Sequence, residues 1–187
     1  MDEFGYLSVL ISIILGLGIT QLLSGFGRLI GDRSRVRPYG PALAWAVFLL
    51  IVHVQTWWSM FGMRAQADWS FGGFAVVLLQ PVLLYLLAAL VLPAAGESGP
   101  LDLRQNYFSQ RRWFFGLLVA LLFTSVLKDL VLAGALPEPV NLAFHLLMLA
   151  TAIGAMATER EAYHRWIAYS GPLLIVVYIS VLFARLE

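Results

Sequence analysis

The chain of 187 residues contains no cysteine. Disulfides, thiolate metal centres and cysteine nucleophiles are therefore excluded, and the redox compartment cannot be read. Charge is scarce as well: 12% of the residues are Asp, Glu, Lys or Arg, against ~25% in a soluble domain. Lysine occurs once, at Lys128, and histidine three times. Missing too are G-x-S-x-G, H-E-x-x-H, paired carboxylates, phosphate-cradling glycine loops and basic runs. Those gaps leave no sequence signature of a serine hydrolase or zinc protease. With a net charge of +1, they also give no basis for binding nucleic acid.

What fills the chain is apolar. Hydrophobic residues make up 60% of it and the mean hydropathy is +0.83. That is more apolar surface than one water-facing core can hide, so lipid has to act as part of the solvent. A bilayer core of ~30 Å needs about 20 apolar residues per helix. Six stretches qualify: 6–30, 41–63, 73–95, 113–135, 139–157 and 166–184. They are continuously apolar rather than alternating, which argues against a β-barrel. The opening Met1-Asp2-Glu3-Phe4 is acidic where a cleaved signal has a positive segment, so the first stretch reads as a retained span. The expected fold is an all-α, polytopic membrane bundle of about six helices in one domain.

The connecting segments alternate in charge. The first carries Arg33, Arg35 and Arg37 with Arg28 just before it. The third carries Arg104, Arg111 and Arg112, and the fifth Arg160 and Arg165. The second holds only Arg64, and the fourth, Leu136-Pro137-Glu138, holds no base. Short cytoplasmic loops are enriched in Lys and Arg. Loops one, three and five are thus expected inside and both termini outside, in a membrane such as a bacterial inner membrane. Within the third loop, 101–112 reads as an amphipathic segment at the lipid headgroups, with Arg104, Arg111, Arg112 and Trp113 as its anchors.

Span one carries Ser8, Ser12, Gly16, Thr20 and Ser24, a ridge of small side chains every four residues. Span five has a shorter version in Ala150, Gly154 and Thr158. Such ridges let helix backbones approach in lipid, against a helix of the same chain or of a second protomer. Pro41 and Pro139 open spans two and five, and Pro81-Val82-Leu83-Leu84 echoes Pro172-Leu173-Leu174-Ile175. The echoes raise the possibility of two inverted three-helix halves.

Polar groups inside a span are costly and mark function or pairing. Lys128 and Asp129 are adjacent in span four, about 100° apart around the helix. Asp129 is a candidate proton or cation site tuned by Lys128. The plain alternative is that Lys128 reaches the headgroups and Asp129 pairs with a neighbouring helix. Asn141 and His145 share one face of span five. His53 and Gln55 lie in span two, Gln80 precedes Pro81 in span three, and Tyr178 and Ser180 lie in span six. With loops one, three and five inside, nearly all of these fall at the midplane or in the outer half, which predicts a polar pocket among spans two to six. Two histidines on different spans also raise haem or metal ligation, and a lone buried lysine raises a Schiff base.

Three function classes follow. A small transporter or channel would use the ion or solute pathway of Asp129, Lys128, His145, Asn141, His53 and Gln80. A scaffold, sensor or partner subunit would act through helix contacts, as a homo-oligomer or with another membrane protein. A cofactor-bound redox protein or enzyme would use the histidines, with its cofactor unidentified.

Overall fold

The computed structural model describes residues 3–66, 68–92 and 101–182. Met1, Asp2, the tails of the third and sixth expected spans and residues 96–100 lie outside the described residues. The order of elements is α1 (Glu3–Gly31), β1 (Val36–Arg37), α2 (Gly40–Ser59), a 3₁₀ stretch (Met60–Ala65), α3 (Phe71–Val91), β2 (Leu101–Asp102), α4 (Leu103–Ala133), α5 (Pro139–Ala157) and α6 (Glu161–Leu182). The described residues are all-α apart from two two-residue strands. Among the described residues, five helices are long and apolar enough to cross a membrane. The exception, α6, opens on the polar turn Glu161–Arg165, and its apolar part within the described residues, 166–182, spans about 25 Å.

Local chemistry sets the ends. Proline occupies the first turn of α2 and α5, where a missing N–H costs nothing. Ser70 caps α3 through its hydroxyl, 3.0 Å from the Gly73 N–H. Asp102 caps α4, accepting from the N–H groups of Arg104 and Gln105 at 3.0 Å each. Helix α4 stops at Gly134, whose φ of 67° only glycine adopts cheaply. Pro81 and Pro172 sit inside α3 and α6, each freeing a carbonyl one turn earlier.

In the packing, α3 lies between α1 and α4, α2 lies along α6, and α5 packs on α4. The pairs do not repeat between halves. The backbones of α1 and α3 run together, whereas those of their would-be counterparts α4 and α6 stay apart, meeting through side chains at one end. The inverted-halves arrangement therefore has no support in the helix packing.

The buried face of α1 is Ile11, Leu15, Gly18, Leu22 and Gly25, spaced 4-3-4-3. This is the seam of helices that cross at a shallow angle. Gly18 and Gly25 give the close approaches, to His53 and to Leu92. The small-residue ridge falls off this seam: Ser8 and Ser12 are half-buried, and Gly16, Thr20 and Ser24 face outward, with open space at Gly16. Its four-residue step departs from the 3.5-residue seam, and two of its hydroxyls close on their own helix, Ser8 on the Gly5 carbonyl at 3.0 Å and Thr20 on the Gly16 carbonyl at 2.8 Å. Gly154 of the shorter ridge does pack within the chain, beneath Tyr163.

The arginine-bearing loops meet at one end of the bundle. Val36 and Arg37 pair in parallel with Leu101 and Asp102, joining the first loop to the third. Arg104 binds Glu161 through Nε and Nη2, at 3.3 and 3.0 Å, joining the third loop to α6. The segment 101–112 is thus not a separate headgroup helix. Its first two residues form β2, and the rest are the opening three turns of α4. That helix, at 31 residues and about 46 Å, is longer than a bilayer core is thick. Arg112 and Trp113 face outward, Trp113 being 72% exposed, as interface anchors would. Arg111 points inward instead and is 4% exposed.

Candidate functional site

A cavity of about 90 Å³ lies among α2, α3, α4, α5 and α6. Its wall is mostly apolar, with Phe48 and Val52 from α2, Leu118 and Leu121 from α4, and Phe144 and Met148 from α5. Five polar side chains break it: Gln55, Gln80, Ser125, His145 and Tyr178. At ~1.5 Å per residue, Ser125 lies about 12 Å from the Ala133 end of α4, His145 about 9 Å from the Pro139 end of α5, and Gln80 about 14 Å from the Phe71 start of α3. All three ends are opposite the arginine loops, so these groups share one depth.

Two hydrogen bonds hold the His145 ring in place. Its Nδ1 lies 2.9 Å from the Asn141 carbonyl, which can only accept, so Nδ1 carries the proton. Nε2 lies 3.0 Å from the Ser125 hydroxyl, a contact that ties α5 to α4. Tyr178 donates to Asn141 Oδ1 at 3.1 Å, tying α6 to α5. The carboxamides of Gln55 and Gln80 have no partner among the described residues and open on the cavity.

Of the candidates named from sequence, His145 and Gln80 are brought to this cavity, and Asn141 supports it from one turn away. Lys128 and Asp129 lie on α4 about one turn beyond Ser125, half-buried, with Nζ and Oδ1 3.7 Å apart. They pair with each other loosely, because the long lysine stem swings across the ~100° between them. His53 is elsewhere. It is 0% exposed, donates from Nδ1 to the Leu49 carbonyl at 2.7 Å and presses its ring on Gly18 of α1. Its Nε2 has no partner among the described residues. The two histidines therefore face different helices, α1 and α4, and form no shared ligand pair.

A second polar cluster sits at the arginine end. His164 is 0% exposed, and Nε2 donates to the Thr158 carbonyl at 2.9 Å, which leaves Nδ1 to accept from the Tyr107 hydroxyl at 2.9 Å. The rings of Tyr107, Phe108 and Phe115 enclose it, and Tyr39 packs on Tyr107 and Phe108. Burial pushes the His164 pKa down. The Thr158 carbonyl opposes that, the Arg111 charge adds to it, and Glu159 opposes it again. Burial likewise raises the Tyr107 phenol above its ordinary range. Arg111 Nη1 lies 2.9 Å from Glu159 Oε1, but out of line for a hydrogen bond, and Nε is unpartnered among the described residues. The cluster fastens the α5–α6 turn to α4.

Sequence reading missed Ser125, Tyr107 and the importance of His164. A signal existed for Tyr107 and Arg111: with Leu103, Phe114, Leu118 and Leu121 they make the buried stripe of α4 at three- and four-residue steps. Ser125 had none, since its partner lies 20 residues away on another helix. No protein family, curated protein or solved structure matches the chain.

Proposed function

We propose that this membrane protein is a small multipass transporter or channel whose solute site is the cavity among α2 to α6. In this reading α6 completes a sixth crossing, and the arginine loops face the cytoplasm across a membrane such as a bacterial inner membrane. Both termini lie on the other side, and the cavity is reached from there. One observation carries the reading: polar side chains from five helices line a single cavity at a common depth, in a bundle where such groups are few. Asp129 and Lys128 flank the site as a mutually neutralising pair. The scaffold reading has less behind it, since the outward ridge at Gly16, Thr20 and Ser24 has open space around Gly16 and nothing on it that identifies a partner.

Flux into liposomes holding the purified protein tests this. His145→Ala and Asp129→Asn should each lower the flux of the transported solute. Flux in both variants equal to that of the unaltered protein, at every pH, would remove the assignment.

A further inference from the structure

The chemistry of the cavity wall narrows what it can hold. No Asp, Glu, Lys or Arg side chain lines it among the described residues. The nearest along α4, Lys128 and Asp129, already offset each other. A bare ion would lose its water there and meet no counter-charge. A hydrocarbon fails for the opposite reason: it would leave the Gln55 and Gln80 carboxamides, each both donor and acceptor, without partners. The Ser125 hydroxyl, 3.0 Å from His145 Nε2, adds a third polar group to the wall. The wall thus presents donors and acceptors together, set in an otherwise apolar surface.

Size adds a second limit. An engineered cavity of roughly 150 Å³ holds the six carbons of benzene. In proportion, about 90 Å³ holds about four non-hydrogen atoms. We infer that the cavity takes a small neutral solute of about that size bearing an amide or hydroxyl group, which pairs with Gln55, Gln80 and Ser125 while its remainder rests on Phe144. This assignment rests on the transport reading above and goes beyond it in naming the class of solute.

Shrink–swell flux in proteoliposomes tests it, with acetamide and urea as neutral probes and sodium methanesulfonate as a charged probe of similar size. Acetamide and urea should cross at least five-fold faster than in protein-free liposomes, and methanesulfonate no faster. Gln80→Leu and Gln55→Leu should each remove most of the gain, in variants whose helical circular dichroism matches the unaltered protein. Two carboxamide positions keep the test standing if one variant fails to fold. If methanesulfonate crosses and the amides do not, the solute class is wrong while transport stands. If the amides cross equally in both glutamine variants, the assignment to this cavity is wrong. If nothing crosses, both the class and the transport reading fall.

Discussion

Replacing Tyr107 with phenylalanine removes one oxygen atom from the arginine end of the bundle. The ring remains, with its edge-on contacts to Tyr39 at 5.4 Å, Phe108 at 5.2 Å and His164 at 5.4 Å between centroids. What disappears is the donor to His164 Nδ1. The His164 proton cannot move there instead, because Nε2 needs it for the Thr158 carbonyl. Nor can bulk water replace the hydroxyl, since His164 is fully enclosed. An unsatisfied buried acceptor costs about 1–3 kcal/mol, or about a 5- to 150-fold fall in the folding constant. Unfolding by SDS titration in mixed micelles at pH 8, where His164 is neutral, reads this directly. A cycle with His164→Leu should show that the two losses are not additive, with a coupling of about 0.5–3 kcal/mol. A Tyr107→Phe loss below about 0.5 kcal/mol, the range of surface substitutions, and additive with His164→Leu, would refute the described bond.

The same histidine makes stability depend on pH. Its folded pKa lies below the ordinary 6.5, so the unfolded chain binds a proton more readily. Stability should therefore fall as pH drops from about 7.5 through 6.5 toward the lowered folded value. His164→Gln should flatten that slope between pH 7.5 and 5; an unchanged slope would place its origin elsewhere. On α1, Gly18→Ala drives a methyl group into the His53 ring and should cost about 1–3 kcal/mol in the same titration. Gly16→Ala meets open space and, by better helix propensity, should leave stability unchanged or raise it by up to about 1 kcal/mol. Equal effects at the two glycines would mean that the seam through Ile11, Leu15 and Gly18 is misplaced.

The helices were readable from sequence because crossing a bilayer imposes a length and a composition together. Three of the expected spans, 41–63, 73–95 and 139–157, start within about two residues of a helix, and the last coincides with one. The gathering of loops one, three and five was readable from arginine alone. The side-chain partners were less so. The ridge from Ser8 to Ser24 drew attention by its small residues, yet burial followed the 4-3-4-3 seam, where two glycines are hidden among Ile11, Leu15 and Leu22. Arg111 read as a lipid anchor because it neighbours Arg112 and Trp113, but one position rotates a helical side chain by about 100°, here from lipid into the bundle. Depth alone predicted a polar pocket among spans two to six; the cavity found there is lined by His145 and Gln80 but not by Asp129 or Lys128. Its Ser125–His145 bond was not anticipated, because contacts between helices leave no mark on local spacing.

The central claim is a bundle that crosses a membrane with its arginine loops together on one face. Since the chain has no cysteine, single cysteines can be placed at will on exposed loop positions: Ser34→Cys and Arg160→Cys at the arginine end, Asp68→Cys and Glu138→Cys at the other. Labelling of intact cells with a membrane-impermeant maleimide should modify the cysteines at 68 and 138 at once, and those at 34 and 160 only after the membrane is opened. Equal labelling of positions 34 and 68 from one side would contradict the crossing, and with it the site.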